Sequence, residues 1–279
     1  MAGVVLLKLG GELLEQPAGL AAIAGVIASA IGPLVVVHGG GKEIDRALAR
    51  AGLAKRQVDG VRVTDPATLE IVVEVLAGAV NTRLVAAVNQ AGGRAVGLTG
   101  VDAGLVPVTP AAPHRAVSGS VVDLGRVGTP SGKGRPVLAA DLLAAGYVPV
   151  VASIAAGPDG LLYNVNADTL AADLAARLGV KRLVIAGGTA GVLDESGKTL
   201  PDLDEKDIER LIASGVASAG MVAKLSACRD ALAGGVDDVL LVDGKDGAVL
   251  RSVIAGGLPE GLEASRLRAS VANVRRPEL

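Results

Sequence analysis

Six short stretches rich in valine, leucine and isoleucine are the feature that most restricts the fold of this chain. They lie at residues 4–8, 34–38, 94–98, 148–152, 182–186 and 238–242. A continuous apolar stretch indicates a strand buried on both faces, because a strand with one wet face alternates polar and apolar residues. Alanine- and leucine-rich segments between them predict helices at residues 17–31, 42–51, 66–91, 137–145, 167–178, 204–214 and 220–234. We therefore predict an α/β fold whose mostly parallel sheet is covered by helices on both faces.

Residues 103–124 interrupt this alternation of strands and helices. Their turn residues and alternating polarity predict β-hairpins that stand off the main sheet. The core must be aliphatic, since the chain has no Phe, no Trp and two Tyr, Tyr147 and Tyr163. We expect any nucleotide base to be held by backbone and aliphatic contacts and not by aromatic stacking.

Composition and charge exclude several classes of protein. The formal net charge of -2 gives no reason to expect a nucleic-acid partner, and the single cysteine, Cys228, excludes an internal disulfide. The two histidines lie far apart and form no metal-binding motif. The first residues lack the basic segment of a signal peptide, and no stretch reaches the roughly 20 apolar residues of a membrane helix. We expect a soluble, cytoplasmic protein that binds small molecules and no membrane.

Three of the predicted strands run into glycine-rich turns. The sequences are KLGGE at residues 8–12, HGGGKEID at residues 38–45 and AGGTAG at residues 186–191. Glycine makes tight strand-to-helix turns, and each motif alone is explained in that way. Because parallel strands bring their carboxyl ends to one edge, three such turns together predict backbone N–H groups that bind phosphate or carboxylate there. Standard nucleotide motifs do not fit, since GVLDESGKT has five residues between its glycines where a P-loop has four.

Four charged side chains are candidates for the chemistry of a site at this edge. Lys8 ends a buried strand, where an unpaired ammonium is costly, so we expect a ligand anion or a carboxylate beside it. Asp168 follows the amide-rich stretch YNVNAD in the first turn of a helix, and Lys224 lies near the start of another. Arg62, in DGVRVTD, could hold a substrate carboxylate through two parallel hydrogen bonds. Taken singly, each residue also has an ordinary structural explanation.

An ordered set of motifs between about residues 4 and 245 resembles the amino-acid kinase family. The motifs are KLGGE, VVVHGGGKEID, GVRVTD, LAGAVNTRLV, AVGLTGVD, VDLGRVG, AGYVPVVASI, YNVNAD and GMVAKLSA. The resemblance implies an open three-layer αβα sandwich in one domain, residues 1–255. It places the amino-acid substrate on about 1–165 and the nucleotide on about 166–255, and leaves 256–279 as a tail.

The same resemblance implies an activity and a set of site residues. The activity is the ATP-dependent phosphorylation of the side-chain carboxylate of N-acetyl-L-glutamate to N-acetyl-L-glutamyl 5-phosphate, in arginine biosynthesis, with Mg²⁺ carried by the nucleotide. Lys8 and Lys224 would stabilise the transferring phosphoryl group, and Asp168 would organise them. The substrate would contact Gly39, Gly40, Gly41, Arg62 and Asn164. The phosphates and the nucleotide would contact Gly10, Gly11, Gly187, Gly188, Thr189 and Gly191.

Two departures from the family pattern leave alternatives open. The resemblance leads us to expect a Ser/Thr-Asp pair after the strand that ends near Ile185, but this chain has Ala-Gly-Gly-Thr-Ala at 186–190. Contacts to the nucleotide should therefore differ. The tail contains four arginines, and we predict a terminal helix followed by a solvated end. The alternative functions are a kinase of carrier-protein-linked aminoadipate or glutamate in lysine biosynthesis, and a catalytically silent relative that senses ligands.

The predicted helix 66–91 carries more aliphatic residues than one buried stripe requires. We expect a homodimer in which the surplus face packs against its own copy. Arginine-inhibited relatives typically carry a helix ahead of the first strand. Here that strand begins by about Val4, and we expect insensitivity to arginine. The aliphatic positions are Ile71, Val72, Val75, Leu76, Val80, Leu84 and Val88.

Overall fold

A single eight-stranded sheet forms the centre of the computed structural model, which describes residues 3–116, 118–194, 196–213, 219–257 and 264–268. The strands are β1 Val5–Leu9, β2 Leu34–His38, β3 Ala95–Thr99, β4 Val148–Ala152, β5 Arg182–Gly187, β6 Asp202–Leu203, β7 Asp238–Asp243 and β8 Ala264–Leu267. Their order in the sheet is β6-β8-β7-β5-β1-β2-β4-β3. The six strands predicted from sequence are mutually parallel where they pair, whereas β8 runs antiparallel to β7. The predicted mostly parallel sheet is thus confirmed.

Helices cover both faces of this sheet, which confirms the predicted three-layer sandwich. The helices are α1 Pro17–Ala28, α2 Gly41–Arg50, α3 Pro66–Val73, α4 Asn81–Gln90, α5 Val137–Ala144, α6 Ala167–Leu178, α7 Glu205–Ala213, α8 Ala219–Ala233 and α9 Gly247–Ile254. Alternate residues of β1 enter opposite cores: Leu6 packs with residues of α5, α6 and α8, and Leu7 packs with residues of α1, α4 and α9. The helix α9 was not predicted. Its start is marked by Asp246, whose carboxylate accepts hydrogen bonds from the N–H groups of Ala248 and Val249.

Short antiparallel hairpins lie outside the main sheet, as predicted for residues 103–124. Val108–Pro110 pairs with Gly128–Pro130, and His114–Arg115 pairs with Val121–Val122. Two further hairpins were not predicted. They pair Gln57–Val58 with Val61–Arg62, and Ile154–Ala156 with Leu162–Asn164.

The tail contributes a strand to the sheet where the sequence analysis predicted a terminal helix. Residues 264–267 form β8, and Arg266 of that strand donates from Nε to Asp238 Oδ1 at 2.6 Å. The same buried carboxylate accepts from Arg182 Nε through Oδ2 at 2.7 Å. Arg182 also donates to the carbonyls of Val253 at 2.8 Å and Gly257 at 2.9 Å. One aspartate therefore joins β5, β7 and β8, so the sheet extends beyond the predicted domain boundary at 255. Tail residues 258–263 and 269–279 lie outside the described residues, and over them the terminal helix stays a prediction.

The predicted helix 66–91 is continuous from Pro66 to Gln90, with a π-helical segment, Glu74–Val80, between α3 and α4. By length and composition it is the one described helix that could cross a membrane. Six of its seven aliphatic positions are buried inside this chain, and Ile71 is half-buried. The interpretation of these residues as a surplus face is therefore wrong, because they pack in the monomer core. The helix is a core helix.

His38, the last residue of β2, is completely buried beside this helix. Its Nε2 accepts a hydrogen bond from Asn81 Nδ2 at 3.0 Å, and its Nδ1 donates to the Gly39 carbonyl at 3.2 Å. The Asn81 amide also donates to the Val150 carbonyl at 2.9 Å. Burial lowers the pKa of His38 to about 4, so the imidazole stays neutral at pH 7. The arrangement ties the first glycine of the HGGG turn to the core.

We predict that His38 makes the stability of this protein depend on pH. Its pKa is about 4 when folded and about 6.5 when unfolded, so the unfolded chain binds the extra proton as the pH falls. The contribution is fully present above pH 6.5 and is lost towards pH 4. Between pH 7.5 and pH 5 the free energy of unfolding should fall by about 2 kcal/mol from this group. Urea unfolding of wild-type and His38→Gln proteins measures the difference. His114→Gln is the comparison variant, at a half-buried hairpin position whose Nε2 lies 2.8 Å from Asp59 Oδ2. An equal pH dependence in wild-type and His38→Gln proteins would contradict the prediction.

We predict that Asp238→Asn strongly destabilises the fold. The change leaves two arginines, Arg182 and Arg266, without their shared carboxylate, and removing one partner of a buried ion pair costs about 3–5 kcal/mol. Asp237→Asn, at the exposed neighbouring position, should change the free energy of unfolding by less than about 0.5 kcal/mol. Chemical denaturation of both variants tests the difference. Similar midpoints for the two would show that the network is dispensable.

Candidate active site

A cleft of about 270 Å³ opens at the carboxyl ends of β1, β2 and β4. It collects residues from the first two glycine-rich turns, from the Gln57–Arg62 hairpin and from the start of α6. The predicted residues that line it are Lys8, Gly10, Gly11, Gly39, Gly40, Gly41, Arg62, Asn164 and Asp168.

A buried ion pair lies at the bottom of this cleft. Lys8 Nζ is 2.6 Å from Asp168 Oδ1, and the two residues are 5% and 6% exposed. Asn166 caps α6, its Oδ1 accepting from the N–H groups of Asp168 at 2.8 Å and Thr169 at 3.1 Å. The crowded sequence YNVNAD thus has a local explanation, because Asn166 fixes the helix start that holds Asp168 against Lys8. The predicted carboxylate partner of Lys8 is Asp168.

Lys224 approaches the same region from α8, which packs against α6. A methyl group placed on Gly187 would lie 3.8 Å from Lys224 Cε. One helical turn further along α8, burial raises the pKa of the Cys228 thiol above its ordinary range, and the negative charge of Asp168 acts in the same direction. Among the described ion pairs, Asp168 pairs with Lys8 and not with Lys224. The two lysines therefore differ: one is neutralised within the protein and the other is available to an anion.

Arg62 enters the cleft from the Gln57–Arg62 hairpin with half of its guanidinium engaged. Its Nη2 donates to Asp45 Oδ1 at 2.5 Å and to the Gly41 carbonyl at 3.3 Å. Burial opposes ionisation of Asp45, but hydrogen bonds from Lys55 and Arg62 hold its pKa below the ordinary value. Arg62 Nη1 is buried and has no hydrogen-bond partner among the described residues. An orphaned buried donor is costly, so this nitrogen indicates a site for an anionic ligand.

Asn164 lines the cleft near Arg62. Its amide Nδ2 donates to Thr64 Oγ1 at 3.2 Å. That bond holds the Asn164 side chain against the hairpin segment. The nitrogen of the side-chain amide is therefore the end that is already engaged.

A hypothetical methyl group, built where a Cβ atom would lie, shows which turn glycines are required by packing. The glycines divide into two groups. On Gly11 the methyl group would lie 2.5 Å from Gly40 Cα, and on Gly40 it would lie 2.8 Å from Leu76 Cδ2. These two glycines are required because the β1 and β2 turns and the π-helical segment pack against each other. Gly41 has no such neighbour within 4 Å, and the nearest atoms at Gly187 and Gly188 are at 3.7 and 3.9 Å. Contacts with neighbouring side chains do not explain glycine at these three positions. Gly41 and Gly188 are exposed, so a ligand can approach their backbone, whereas Gly187 is buried.

The loop after β5 only partly follows the prediction. Thr189 is exposed, and its Oγ1 donates to the Gly191 carbonyl at 3.4 Å. Gly191 is buried, and a methyl group there would lie 2.9 Å from both Ser265 N and Thr199 Cγ2. Its glycine is explained by packing against β8, and Gly191 does not line the cleft.

Sequence reasoning gave no role to Glu12 or Lys245, although both lie at this edge. A methyl group placed on Gly188 would lie 3.9 Å from both Glu12 Oε1 and Lys245 Nζ. The available signal was a carboxylate directly after the paired glycines of KLGGE. The proximity of Lys245 depends on the neighbouring positions of β5 and β7, which the chain order does not reveal.

Comparison with known proteins agrees with this geometry. The profile of the amino acid kinase family matches residues 3–243. The acetylglutamate kinase of Solibacter usitatus is 41% identical over 255 residues, covering 90% of this chain and 95% of that protein. The acetylglutamate kinase of Rhodopseudomonas palustris (strain BisB18) is 45% identical over 222 residues, covering 78% and 74%.

Solved structures share the fold. The N-acetylglutamate synthase of Neisseria gonorrhoeae, complexed with coenzyme A and N-acetyl-glutamate, superposes with a TM-score of 0.80 at 21% identity over 96% of this chain. This chain spans 60% of that synthase. The carbamate kinase of Giardia lamblia, bound to citric acid, superposes with a TM-score of 0.67 at 13% identity, covering 96% of this chain and 99% of that one. With the sandwich, the paired turns and the profile in agreement over most of its length, this chain belongs to the amino acid kinase family.

Proposed function

We propose that this protein transfers the γ-phosphoryl group of ATP to the side-chain carboxylate of N-acetyl-L-glutamate, a step of arginine biosynthesis. The observation that carries the proposal is one cleft that combines the Lys8–Asp168 pair, open glycine turns and the orphaned Nη1 of Arg62. The relatives named acetylglutamate kinase, at 41% and 45% identity, support this choice of substrate.

The chemistry suits these residues because the nucleophile is a carboxylate that is already ionised at pH 7. No general base is needed. The buried, neutral His38 holds the HGGG turn in place and takes no part in the reaction. The protein has to hold two anions in line and stabilise the charge that spreads over the phosphoryl oxygens. Lys8, Lys224 and the N–H groups of the glycine turns supply that stabilisation. Asp168 pairs with Lys8 and holds its ammonium group in position beside an apolar core.

The substrate's second carboxylate would bind Arg62 through the unpartnered Nη1. The guanidinium is already held by Asp45, so its orientation is set before the substrate arrives. Asn164 would hydrogen-bond the amide region of the substrate, next to Arg62. The first turn of α2, which begins at the open Gly41, adds unpaired backbone N–H groups to the same wall.

Magnesium would enter with ATP. Among the described residues, no group of three His, Cys, Asp or Glu side chains could hold a metal ion. We propose that the ion is bound by the nucleotide's own phosphates, where it would neutralise part of their charge. Asp168 and Glu12 are the acidic side chains of the cleft.

Two other functions are compatible with the same fold. The substrate that is phosphorylated, if any, distinguishes them from the proposed function. A kinase of carrier-linked aminoadipate or glutamate would need a surface for an acidic carrier, and the 111–124 segment carries no basic cluster. A ligand-sensing relative without catalysis would not need Lys8, Asp168 and Lys224 together. A hydroxamate assay for acyl phosphate, with N-acetylglutamate, glutamate and aminoadipate derivatives in parallel, tests the proposed function. Product with N-acetylglutamate supports it, and product with carrier-linked aminoadipate alone would contradict it.

We also expect a cytoplasmic homodimer. The aliphatic residues of Pro66–Gln90 no longer support the assembly, since they are buried within the chain. The dimer stays a prediction with no assigned interface, and light scattering measures it.

We predict that Lys8→Ala and Lys224→Ala each lower kcat by about 10²–10³, or about 3 kcal/mol of transition-state stabilisation. The KM for N-acetylglutamate should change far less. Lys181→Ala, an exposed lysine at the opposite end of β5, is the control and should keep wild-type turnover. Steady-state kinetics decides, and near-normal turnover in either site variant would refute the phosphoryl-transfer assignment.

We predict that Arg62→Lys fails to restore substrate binding. An ammonium cannot keep the Asp45 bond and also present a second, fixed donor to the substrate carboxylate. The KM for N-acetylglutamate should rise at least about tenfold, equivalent to about 1.4 kcal/mol, while the KM for ATP changes little. Arg56→Lys, at an exposed position, is the control. An unchanged KM would mean that Arg62 is purely structural.

A further inference from the structure

Three charged side chains lie near Gly187 and Gly188 at the carboxyl end of β5, and the sequence analysis assigned a role to Lys224 but not to Glu12 or Lys245. A methyl group on Gly187 would lie 3.7 Å from Glu12 Oε1 and 3.8 Å from Lys224 Cε. On Gly188 it would lie 3.9 Å from Glu12 Oε1 and 3.9 Å from Lys245 Nζ. The Glu12 carboxylate therefore lies close to both glycines, each of which also has a lysine beside it.

Neither lysine is neutralised there by the protein. In the part of the chain that the structure describes, no carboxylate forms an ion pair with Lys224 or Lys245, and Glu12 reaches neither closely enough to pair. Outside the adjacent residues, no described atom lies closer than 3.7 Å to a methyl group placed on either glycine. Gly187 is a buried residue of β5, whereas Gly188 is exposed, so its backbone is open to a ligand. Two unpaired ammonium groups beside open backbone favour a polyanion over a single carboxylate.

Lys245 is held at this edge by a rigid turn. Its backbone N–H donates to Asp243 Oδ1 at 2.9 Å, and the N–H of Gly244 donates to the Gly187 carbonyl at 2.8 Å. Gly244 itself packs against Leu13 and Ala186 with no room for a side chain. The turns after β1, β5 and β7 are thus interlocked, and the backbone of Lys245 cannot move away independently.

Glu12 lies directly over the β1 turn. Its carboxylate oxygens fill the space next to Gly10, where a methyl group would overlap them. Glu12 lines the cleft together with Lys8 and Gly10, so a phosphate chain that joins this edge to Lys8 would lie close to its carboxylate. The side chain is exposed, so a ligand can displace it.

We propose that Lys245 binds the polyphosphate of the nucleotide together with Lys224, and that the Glu12 carboxylate occupies part of the phosphate position and weakens nucleotide binding until it is displaced. The inference rests on the proposed function for the identity of the nucleotide. It adds a binding cation and an internal competitor, neither of which takes part in the chemical step.

The experiment measures binding without turnover. Calorimetry gives the Kd of MgATP and of magnesium tripolyphosphate, which lacks the base and sugar, for wild type, Lys245→Gln, Glu12→Gln and the double variant. Lys181→Gln is the matched control, an exposed lysine at the other end of β5. Thermal melting confirms that each variant is folded.

We expect Lys245→Gln to raise the Kd of both ligands about tenfold, as for one charge contact at an intermediate dielectric, and to leave the KM for N-acetylglutamate unchanged. Glu12→Gln should lower the Kd of both ligands about three- to tenfold, with a smaller effect at high salt. The gain from Glu12→Gln should shrink in the Lys245→Gln background, because the two groups share one site.

Opposite results overturn the inference. A Lys245→Gln variant that binds like Lys181→Gln would remove Lys245 from the site. Weaker binding of MgATP by Glu12→Gln would mean that Glu12 assists the ligand instead of competing with it. Tripolyphosphate binding that depends on Lys245, in a protein that forms no acyl phosphate, would support the inference and contradict the proposed function. If the protein forms acyl phosphate and the Lys245→Gln change leaves the Kd of MgATP and tripolyphosphate unaltered, the proposed function is supported and this inference is contradicted.

Discussion

The ion pair between Lys8 and Asp168 is the interaction on which the organisation of this protein depends. It places two charges in a core built almost entirely of aliphatic side chains, where either charge alone would be strongly destabilising. β1 runs through the middle of the sheet and α6 packs across one of its faces, so the pair joins the central strand to the helical layer. Replacing such a pair by apolar residues is often neutral or stabilising, which means that stability alone does not explain it. Its place at the floor of an open cleft does, because a charged lysine there can act on a bound phosphoryl group.

The turns around this pair are interlocked through their backbones. Gly11 contacts Gly40, Gly40 contacts Leu76, and the Gly244 N–H bonds to Gly187. The π-helical segment Glu74–Val80 belongs to the same arrangement, since it places Leu76 under a turn glycine and leads directly into Asn81, the partner of His38. Irregular helical segments of this kind are common beside functional sites. Here the irregularity has a visible role, which is to fit a long helix against the β2 turn.

Electrostatics separates the two sides of β1 at this edge of the sheet. In the cleft, on the side of the Gln57–Arg62 hairpin, Arg62 is already paired with Asp45 and has one donor left, which suits a single carboxylate. On the side of β5 and β7, Lys224 and Lys245 have no paired carboxylate in the described part of the chain, which suits a longer anion. Lys8 is on β1, between the two sides, as expected for a group that acts where two anionic substrates meet.

The sequence by itself determined the αβα architecture, because double-faced apolar strands and helical periodicity are local properties that one chain displays directly. It also indicated the cleft, since Lys8, Asp168, Arg62 and the first two glycine turns follow strand ends that a parallel sheet brings to one edge. Only the tertiary structure decided what depends on non-local packing. It showed that the apolar face of Pro66–Gln90 is buried within the chain, that residues 264–267 form an antiparallel strand held by Arg266 and Asp238, and that Gly191 packs against Ser265. The reason is the same in each case: these features depend on which surfaces meet across the sheet, and periodicity along the chain does not specify a partner.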